Sequence, residues 1–190
     1  CSIEELFNSS PDILGSDIQY HETPTAYPEW SSETPESSAQ RGDTLHVEFL
    51  DVDQGDSILI YDDIDNVCLI DTGVYAEYDA LSQYLKEDGI YQIDYLVLTH
   101  PDADHMGSAG NVLEDYDVTY CLVNGDTDDT AAYTYYENAV NETDTSEIIV
   151  DAGYTFSIGS AECTVLAPNG ECSESDKNAN SLVIRMEYGD

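Results

Sequence analysis

The sequence predicts one α/β (α+β) domain, a sandwich of two sheets with helices outside, over residues 44–190. Short apolar runs rich in β-branched residues recur between turn residues after position 44, a pattern typical of strands. Between them lie segments with apolar residues at helical spacing. Because the predicted strands fall into two groups along the chain, we expect two sheets with helices on their outer faces, an αββα sandwich.

The elements are predicted in chain order from these periodicities. Apolar or β-branched runs bounded by Gly, Asn, Asp or Pro predict strands at 45–50, 57–61, 67–70, 95–99, 119–123, 147–150, 155–158, 163–167 and 181–188. Apolar residues that recur every three or four positions, or small residues behind a strand, predict helices at 79–87, 107–116 and 130–140. The first of these helices stops before Gly89, as helices commonly do.

Residues 1–43 have a different composition from the rest. They are rich in Ser, Thr, Glu and Pro and show no sustained period, which predicts a flexible tether rather than a packed domain. The chain begins at Cys1, and a polar segment follows it. This arrangement is similar to a mature lipoprotein whose Cys carries a lipid, so we expect extracellular anchoring to the membrane surface; the alternative is a chain trimmed at a convenient residue.

The charge balance restricts both environment and partners. Four Lys and Arg against 41 Asp and Glu give a net charge of 4 − 41 = −37. Self-repulsion on this scale destabilises a compact state in dilute buffer, and salt near 1 M screens most of it, so we expect a high-salt environment. Nucleic-acid binders usually carry a basic stripe, which four scattered cations cannot form. Affinity for a polyanion must then come from metal ions, and no protein partner is implied.

The stretch Tyr95–Gly110, YLVLTHPDADHMGSAG, gathers the candidate chemistry. A buried strand ends at Pro101, which cannot continue a β-ladder, and small residues then let a helix start close by. The potential ligands therefore sit on a strand-to-helix loop: His100, Asp102, Asp104 and His105. Imidazoles and carboxylates on one loop can bind one or two divalent ions. The alternative to a metal site is an ordinary loop, because Asp and His are common in loops.

These residues resemble a known family. H-x-D-x-D-H is similar to the H-x-H-x-D-H signature of the metallo-β-lactamase fold, and more narrowly to its ComEC-type competence-protein branch, in which an Asp replaces the second His. Three further segments resemble that branch: His46–Ile60 with DVDQGD, Leu69–Gly73 with LIDTG, and Asn178–Asp190 with NANSLVIRMEYGD. The resemblance spans 45–190 and stops before the family's later T-G-D and His-His-Gly-Ser segments, so we expect a partial fold.

The resemblance implies a metal-dependent hydrolase that acts on phosphodiester bonds, of DNA or of a small phosphodiester, through a metal-bound hydroxide. His100, Asp102, Asp104 and His105 would hold zinc or manganese, and Asp104 would also be catalytic. Asp71, which follows a predicted strand, would brace the ligand loop; capping of the next helix is the alternative.

Four more residues are candidates for the surroundings of the ion or for substrate contact: Asp51, Gln54, Asp56 and Asn180. For the first three, an ordinary acidic turn is an equally good interpretation. No His follows His105, and Asn178 or Asn180 lies where other branches carry a third His. A non-catalytic surface module with an incomplete metal site therefore stays open as the alternative function.

Overall fold

The structure is a computed structural model that describes residues 44–170, 173 and 176–189. The predicted tether at 1–43, with Cys1, lies outside the described residues. Among the helices that are described, none has the length and apolar character needed to cross a bilayer.

Six strands form the larger sheet in the spatial order β1-β2-β3-β4-β5-β6. They are β1 Leu45–Phe49, β2 Ile58–Asp62, β3 Val67–Ile70, β4 Gln92–Leu98, β5 Asp117–Val123 and β6 Ser146–Ile149. The first three strands pair antiparallel. The pairs from β3 to β6 are parallel, so the carboxyl ends of β3, β4 and β5 meet at one edge of the sheet.

A second, antiparallel sheet follows in the order β7-β8-β9. Its strands are β7 Thr155–Ile158, β8 Ala161–Ala167 and β9 Val183–Glu187. The helices are α1 Tyr78–Glu87, α2 Ala103–Met106, α3 Ala109–Asp115 and α4 Ala131–Glu142. A 3₁₀ turn at Lys177–Asn180 precedes β9.

Two apolar cores lie on the two faces of the larger sheet. Leu96 and Leu98 on β4 pack with buried residues of all four α-helices. Val97, which points the other way, packs with the second sheet. Burial of β4 on both faces agrees with its continuous apolar run. The described layers are therefore helices, the six-stranded sheet and the three-stranded sheet. The predicted α/β sandwich is confirmed, and the helices that the structure describes pack on the larger sheet.

The predicted strands are found within three residues of their expected ends, but the helix after the ligand motif differs from its prediction. We expected a helix at 107–116 and a loop before it, whereas the chain forms two short helices, α2 and α3. Asp102 is extended and its carbonyl oxygen accepts from the backbone N–H of His105 and Met106, both at 3.0 Å. Because α2 starts directly after Asp102, Asp104 and His105 lie on a helical turn and not on a loop.

Candidate metal centre

The candidate site lies where parallel strands of the larger sheet end. Asp71 comes directly after β3, and Thr99 and His100 come directly after β4. In open α/β sheets this edge is where sites are usually built. The α2 turn then places His105 over the same edge, since the Thr72 backbone N–H and hydroxyl both donate to the His105 carbonyl oxygen at 2.6 and 3.1 Å.

The side chain of Asp71 is buried at this edge and joins two of the neighbouring residues by hydrogen bonds. Its side chain accepts the Thr99 backbone N–H on Oδ1 at 2.8 Å, and the Thr99 hydroxyl on Oδ2 at 2.7 Å. The same Oδ2 lies 2.8 Å from Nδ1 of His105. Asp71 has φ +56°, a left-handed conformation that costs a non-glycine residue on the order of 1 kcal/mol or more. These hydrogen bonds offset that strain and hold the carboxylate in place.

The hydroxyls around His100 fix which ring nitrogen carries its proton. Nδ1 lies 3.0 Å from the Thr99 hydroxyl and 3.2 Å from the Ser181 hydroxyl. Thr99 already donates its only hydroxyl proton to Asp71, and Ser181 donates its own to the Asn178 carbonyl at 2.8 Å. Both oxygens must therefore accept, so Nδ1 of His100 is the N–H donor and Nε2 of the neutral ring keeps its lone pair.

His105 is oriented in the same sense. A carboxylate only accepts, so Nδ1–H of His105 donates to Asp71 and Nε2 carries the lone pair in the neutral ring. This hydrogen bond is the main cause that raises the pKa of His105 above its ordinary value, and partial burial opposes it. A carboxylate that fixes the tautomer of a histidine is the usual support of a metal-ligating imidazole.

The two rings and three carboxylates form one cluster. The ring centroids of His100 and His105 are 4.0 Å apart. Asp102 Oδ2 lies 3.5 Å from Nε2 of His100, while Asp56 and Asp104 lie 3.8 and 4.0 Å from Nε2 of His105. Nε2 of His100 is buried, and no described residue forms a hydrogen bond with it. A buried nitrogen with a free lone pair is costly unless something binds it.

The chemical types of these side chains suit a divalent ion, because imidazole nitrogens and carboxylate oxygens are ligands of both zinc and manganese. Within the described residues, however, no three His, Cys, Asp or Glu side chains are placed to share an ion as they stand. The two histidines are held by their neighbours, whereas the side chain of Asp56 is largely exposed and that of Asp104 is about half-exposed. Completing a ligand shell therefore requires the carboxylates to move toward the histidines.

The loop between β1 and β2 reaches this cluster through a close backbone contact. The Asp56 backbone N–H donates to the Asp104 carbonyl oxygen at 3.2 Å. Gly55 has φ +133°, and a Cβ placed there would lie 2.3 Å from the same oxygen. Only glycine allows both the conformation and the approach, so Gly55 brings Asp56 to within reach of His105.

We expect Gly55→Ala to lower the free energy of unfolding by roughly 2 kcal/mol or more, since it adds a backbone clash to left-handed strain. Gly153→Ala is the matched control, because Gly153 also has a positive φ, +103°, but a Cβ there meets nothing within 4 Å. Urea unfolding of both variants measures the difference. An equal loss in both variants would mean that the contact with Asp104 does not matter.

The other candidates predicted from sequence lie at different distances from the cluster. Asp51 and Gln54 are exposed, and among the described residues neither forms a hydrogen bond or an ion pair with the two histidines. Asn180 is buried, but it donates to Asp126 at 2.7 Å and to the Ser173 carbonyl at 2.9 Å, so it supports the loop after β5 instead. Its role next to an ion remains a prediction from resemblance.

Three residues that touch the cluster were not among those candidates. Thr99 and Ser181 bind Nδ1 of His100, and Asn178 donates to Asp102 Oδ2 at 3.2 Å. Ser181 and Asn178 lie some 80 residues along the chain from the motif they contact, and no local pattern reveals that. In the sequence, Ser181 is only the first residue of the predicted strand at 181–188, and Asn178 stands out only as one of two residues that lie where other branches carry a third His.

Comparisons with known proteins agree with this architecture. The family model of the metallo-beta-lactamase superfamily matches residues 50–141, which hold β2 to β5, the motif itself and most of α4. Among curated proteins, ComE operon protein 3 of Bacillus subtilis is 28% identical over 160 residues, covering 75% of this chain and 20% of that protein. The chain thus spans about a fifth of that relative's length.

Solved structures match at the level of fold. A metallo-beta-lactamase HARLDQ motif mutant of Cronobacter sakazakii superposes with a TM-score of 0.52 at 13% identity, covering 74% of this chain and 56% of that one. A metallo-beta-lactamase of Staphylococcus aureus gives 0.50 at 17% identity, covering 78% of this chain and 39% of that one. The described layers, the position of the motif after β4 and these matches together show that the chain has the metallo-β-lactamase fold, over part of its usual length.

Proposed function

We propose that the chain is a metal-dependent hydrolase that acts on phosphodiester bonds. The observation that carries the proposal is the orientation of the two histidines. His100 and His105 lie ring to ring, each donates its Nδ1 proton to a fixed acceptor, and each keeps its Nε2 lone pair. Structural histidines in a core usually satisfy both nitrogens, whereas Nε2 of His100 is buried and has no hydrogen-bond partner among the residues that the structure describes.

A bound divalent ion would supply Lewis acidity, polarising a phosphoryl oxygen and lowering the pKa of water at the site. The protein's part is to orient and to move protons. Asp71 and the two hydroxyls of Thr99 and Ser181 hold the imidazoles in one tautomer. Asp104, about half-exposed and 4.0 Å from Nε2 of His105, is placed to accept a proton from an attacking water.

The choice of a phosphodiester rests on similarity and on charge. The sequence resembles the ComEC-type branch, and ComE operon protein 3 is a distant relative, so DNA processed outside the cell is the substrate class we propose. The protein itself carries a net charge of −37 and repels a polyanion in bulk. Contact with a phosphate is therefore expected only where an ion neutralises the acidic cluster.

A second candidate function is supported by one observation. No three potential ligands among the described residues share a position for an ion without moving. A surface module that keeps the fold, with a weak ion or none, would look the same. Titration with Mn²⁺ and with Zn²⁺ in about 1 M KCl, followed by an assay on bis(p-nitrophenyl) phosphate, separates the two. Ion-dependent cleavage supports the hydrolase, and bound ion without cleavage supports the module.

We also propose that the protein works outside the cell in high salt. The support is the net charge of −37 and the similarity to the ComEC-type branch.

Salt should stabilise the domain strongly. We expect the midpoint of thermal unfolding to rise by about 10 °C or more between about 0.1 and 1 M KCl, because the Debye length falls from about 10 to about 3 Å and screens the acidic surface. Circular dichroism at fixed pH measures it. Sodium perchlorate is the control for general salting-out, because it screens charge as well as KCl does but favours unfolding. A midpoint that does not depend on the KCl concentration would contradict the role of charge repulsion.

A further inference from the structure

A cavity of about 190 Å³ lies beside the histidine pair, on the side of β5 and β6. His100 is one of its lining residues, and within the described part of the chain no group forms a hydrogen bond with the buried Nε2 of this histidine. Leu98, Met106 and Ile149 supply apolar wall. The cavity therefore opens an apolar space next to the atoms that the proposed reaction would use, and it is large enough for one six-membered ring.

Two tyrosines give this cavity an aromatic side. Tyr133 and Tyr136 of α4 line it, with ring centroids 6.0 Å apart and ring planes tilted by 54°. Tyr136 is buried and donates its hydroxyl to Glu147. Aromatic side chains of this kind take up planar rings, and a base stacked on one gains on the order of 1–3 kcal/mol. That figure is typical of single-stranded nucleic acids on protein surfaces.

The polar groups that line the cavity include two carboxylates, and the described residues that line it include no Lys or Arg. Asp126 uses Oδ2 to hold Asn180, and Glu147 uses Oε2 to hold Tyr136. Neither Oδ1 of Asp126 nor Oε1 of Glu147 accepts a hydrogen bond from any described residue. A phosphate or carboxylate would be repelled here, whereas a neutral ring that carries an amino group could donate to these oxygens.

We propose that this cavity is a nucleobase subsite that takes an amino-bearing base, with cytosine as the simplest fit, and places its phosphodiester at the histidine pair. The inference rests on the proposed phosphodiester hydrolysis and adds a base preference to it. Aspartate and glutamate accept from the N4 amino group of cytosine in known base readout, whereas uracil presents a carbonyl oxygen at the same position and meets like charge.

The test compares cytidine with uridine, which differ in the group at position 4 and in N3, an acceptor in cytidine and an N–H donor in uridine. Both are neutral, so binding to the metal-free protein in about 1 M KCl can be measured by saturation-transfer NMR and calorimetry without any turnover. We expect cytidine to bind about tenfold more tightly than uridine, from one hydrogen bond to a charged group. Equal binding of the two, tighter binding of uridine, or binding of neither would overturn the proposal.

Variants locate the preference. Glu147→Gln keeps the shape and the Tyr136 hydrogen bond but can present an amide N–H, so the ratio of the two affinities should fall below about threefold. Glu142→Gln, at the exposed end of α4, is the matched control and should keep the tenfold ratio. An unchanged ratio in Glu147→Gln would contradict the assignment of that carboxylate.

Failure of the proposed subsite can be distinguished from failure of the proposed hydrolase function. Failure of the hydrolase shows as absence of ion-dependent cleavage of bis(p-nitrophenyl) phosphate, a substrate without a base. Failure of the subsite shows as absence of cytidine preference in the metal-free protein, whatever the cleavage assay gives.

Discussion

His105→Ala is expected to weaken binding of Mn²⁺ or Zn²⁺ by more than about 100-fold and to abolish ion-dependent cleavage. Loss of a supporting residue around a metal ligand typically costs 10–100-fold in affinity, and loss of a ligand costs more. The variant should stay folded, because His105 is only partly buried and Asp71 keeps its two hydrogen bonds from Thr99. Isothermal titration calorimetry in about 1 M KCl measures the affinity.

His46→Ala is the control for this experiment. His46 is also a histidine near a carboxylate, since its ring lies 3.3 Å from Asp63. It lies on β1, stacks on Tyr61 of β2 and takes no part in the cluster. Its replacement should leave both affinity and cleavage within a factor of about two of the starting protein. If His105→Ala binds ions as tightly as His46→Ala does, the histidine pair does not hold the ion.

Asp71→Asn is expected to keep the fold and to lower ion affinity by about 10–100-fold. Asparagine tolerates the left-handed conformation found at this position. The single oxygen of the asparagine side chain can replace Oδ1 as acceptor of the Thr99 backbone N–H. The amide nitrogen then takes the place of Oδ2, where it faces the Thr99 hydroxyl and Nδ1 of His105. Both of these groups donate to Asp71 in the starting protein, and neither can donate to an amide nitrogen. His105 is forced to carry its proton on Nε2, where an ion would bind.

The ¹⁵N chemical shifts of the imidazole nitrogens report this change directly. They should show the Nδ1–H tautomer of His105 in the starting protein and the Nε2–H tautomer in Asp71→Asn, which distinguishes positioning from a general loss of structure. Asp94→Asn is the control, because Asp94 also accepts a backbone N–H, from Val67 at 2.9 Å, far from the histidines. An unchanged tautomer and affinity in Asp71→Asn would rule out this role of Asp71.

The fold could be predicted largely because its central strand is unambiguous. Buried on both faces, β4 appears as an uninterrupted apolar run that Pro101 ends. The existence of α2 and the residue at which it starts could not be predicted. Four residues give too little periodicity to indicate a helix. The helix starts after Asp102 because the carbonyl oxygen of Asp102 accepts two backbone N–H groups, a contact that the sequence does not show.

From the residue pattern alone, the candidate site was predictable only where it is local in sequence, whereas Asp71 and Asp56 became candidates through the family resemblance. His100, Asp102, Asp104 and His105 fall within six positions, so the motif placed them together. Ser181 reaches His100 from 81 positions away, through packing of the segment before β9 that no local pattern encodes. Asp56 reaches His105 because Gly55 permits a close backbone contact, and that contact exists only in the folded chain.

The most direct measurement for the central claim is X-ray absorption spectroscopy of the zinc-loaded protein in about 1 M KCl. If His100 and His105 hold the ion through Nε2, the spectrum will contain the outer-shell scattering of two imidazole rings together with oxygen ligands, and a double His100→Ala, His105→Ala variant will lose the imidazole scattering. A shell of oxygen ligands alone in the starting protein would contradict the account, because the ion would then be held by surface carboxylates and not by the histidine pair.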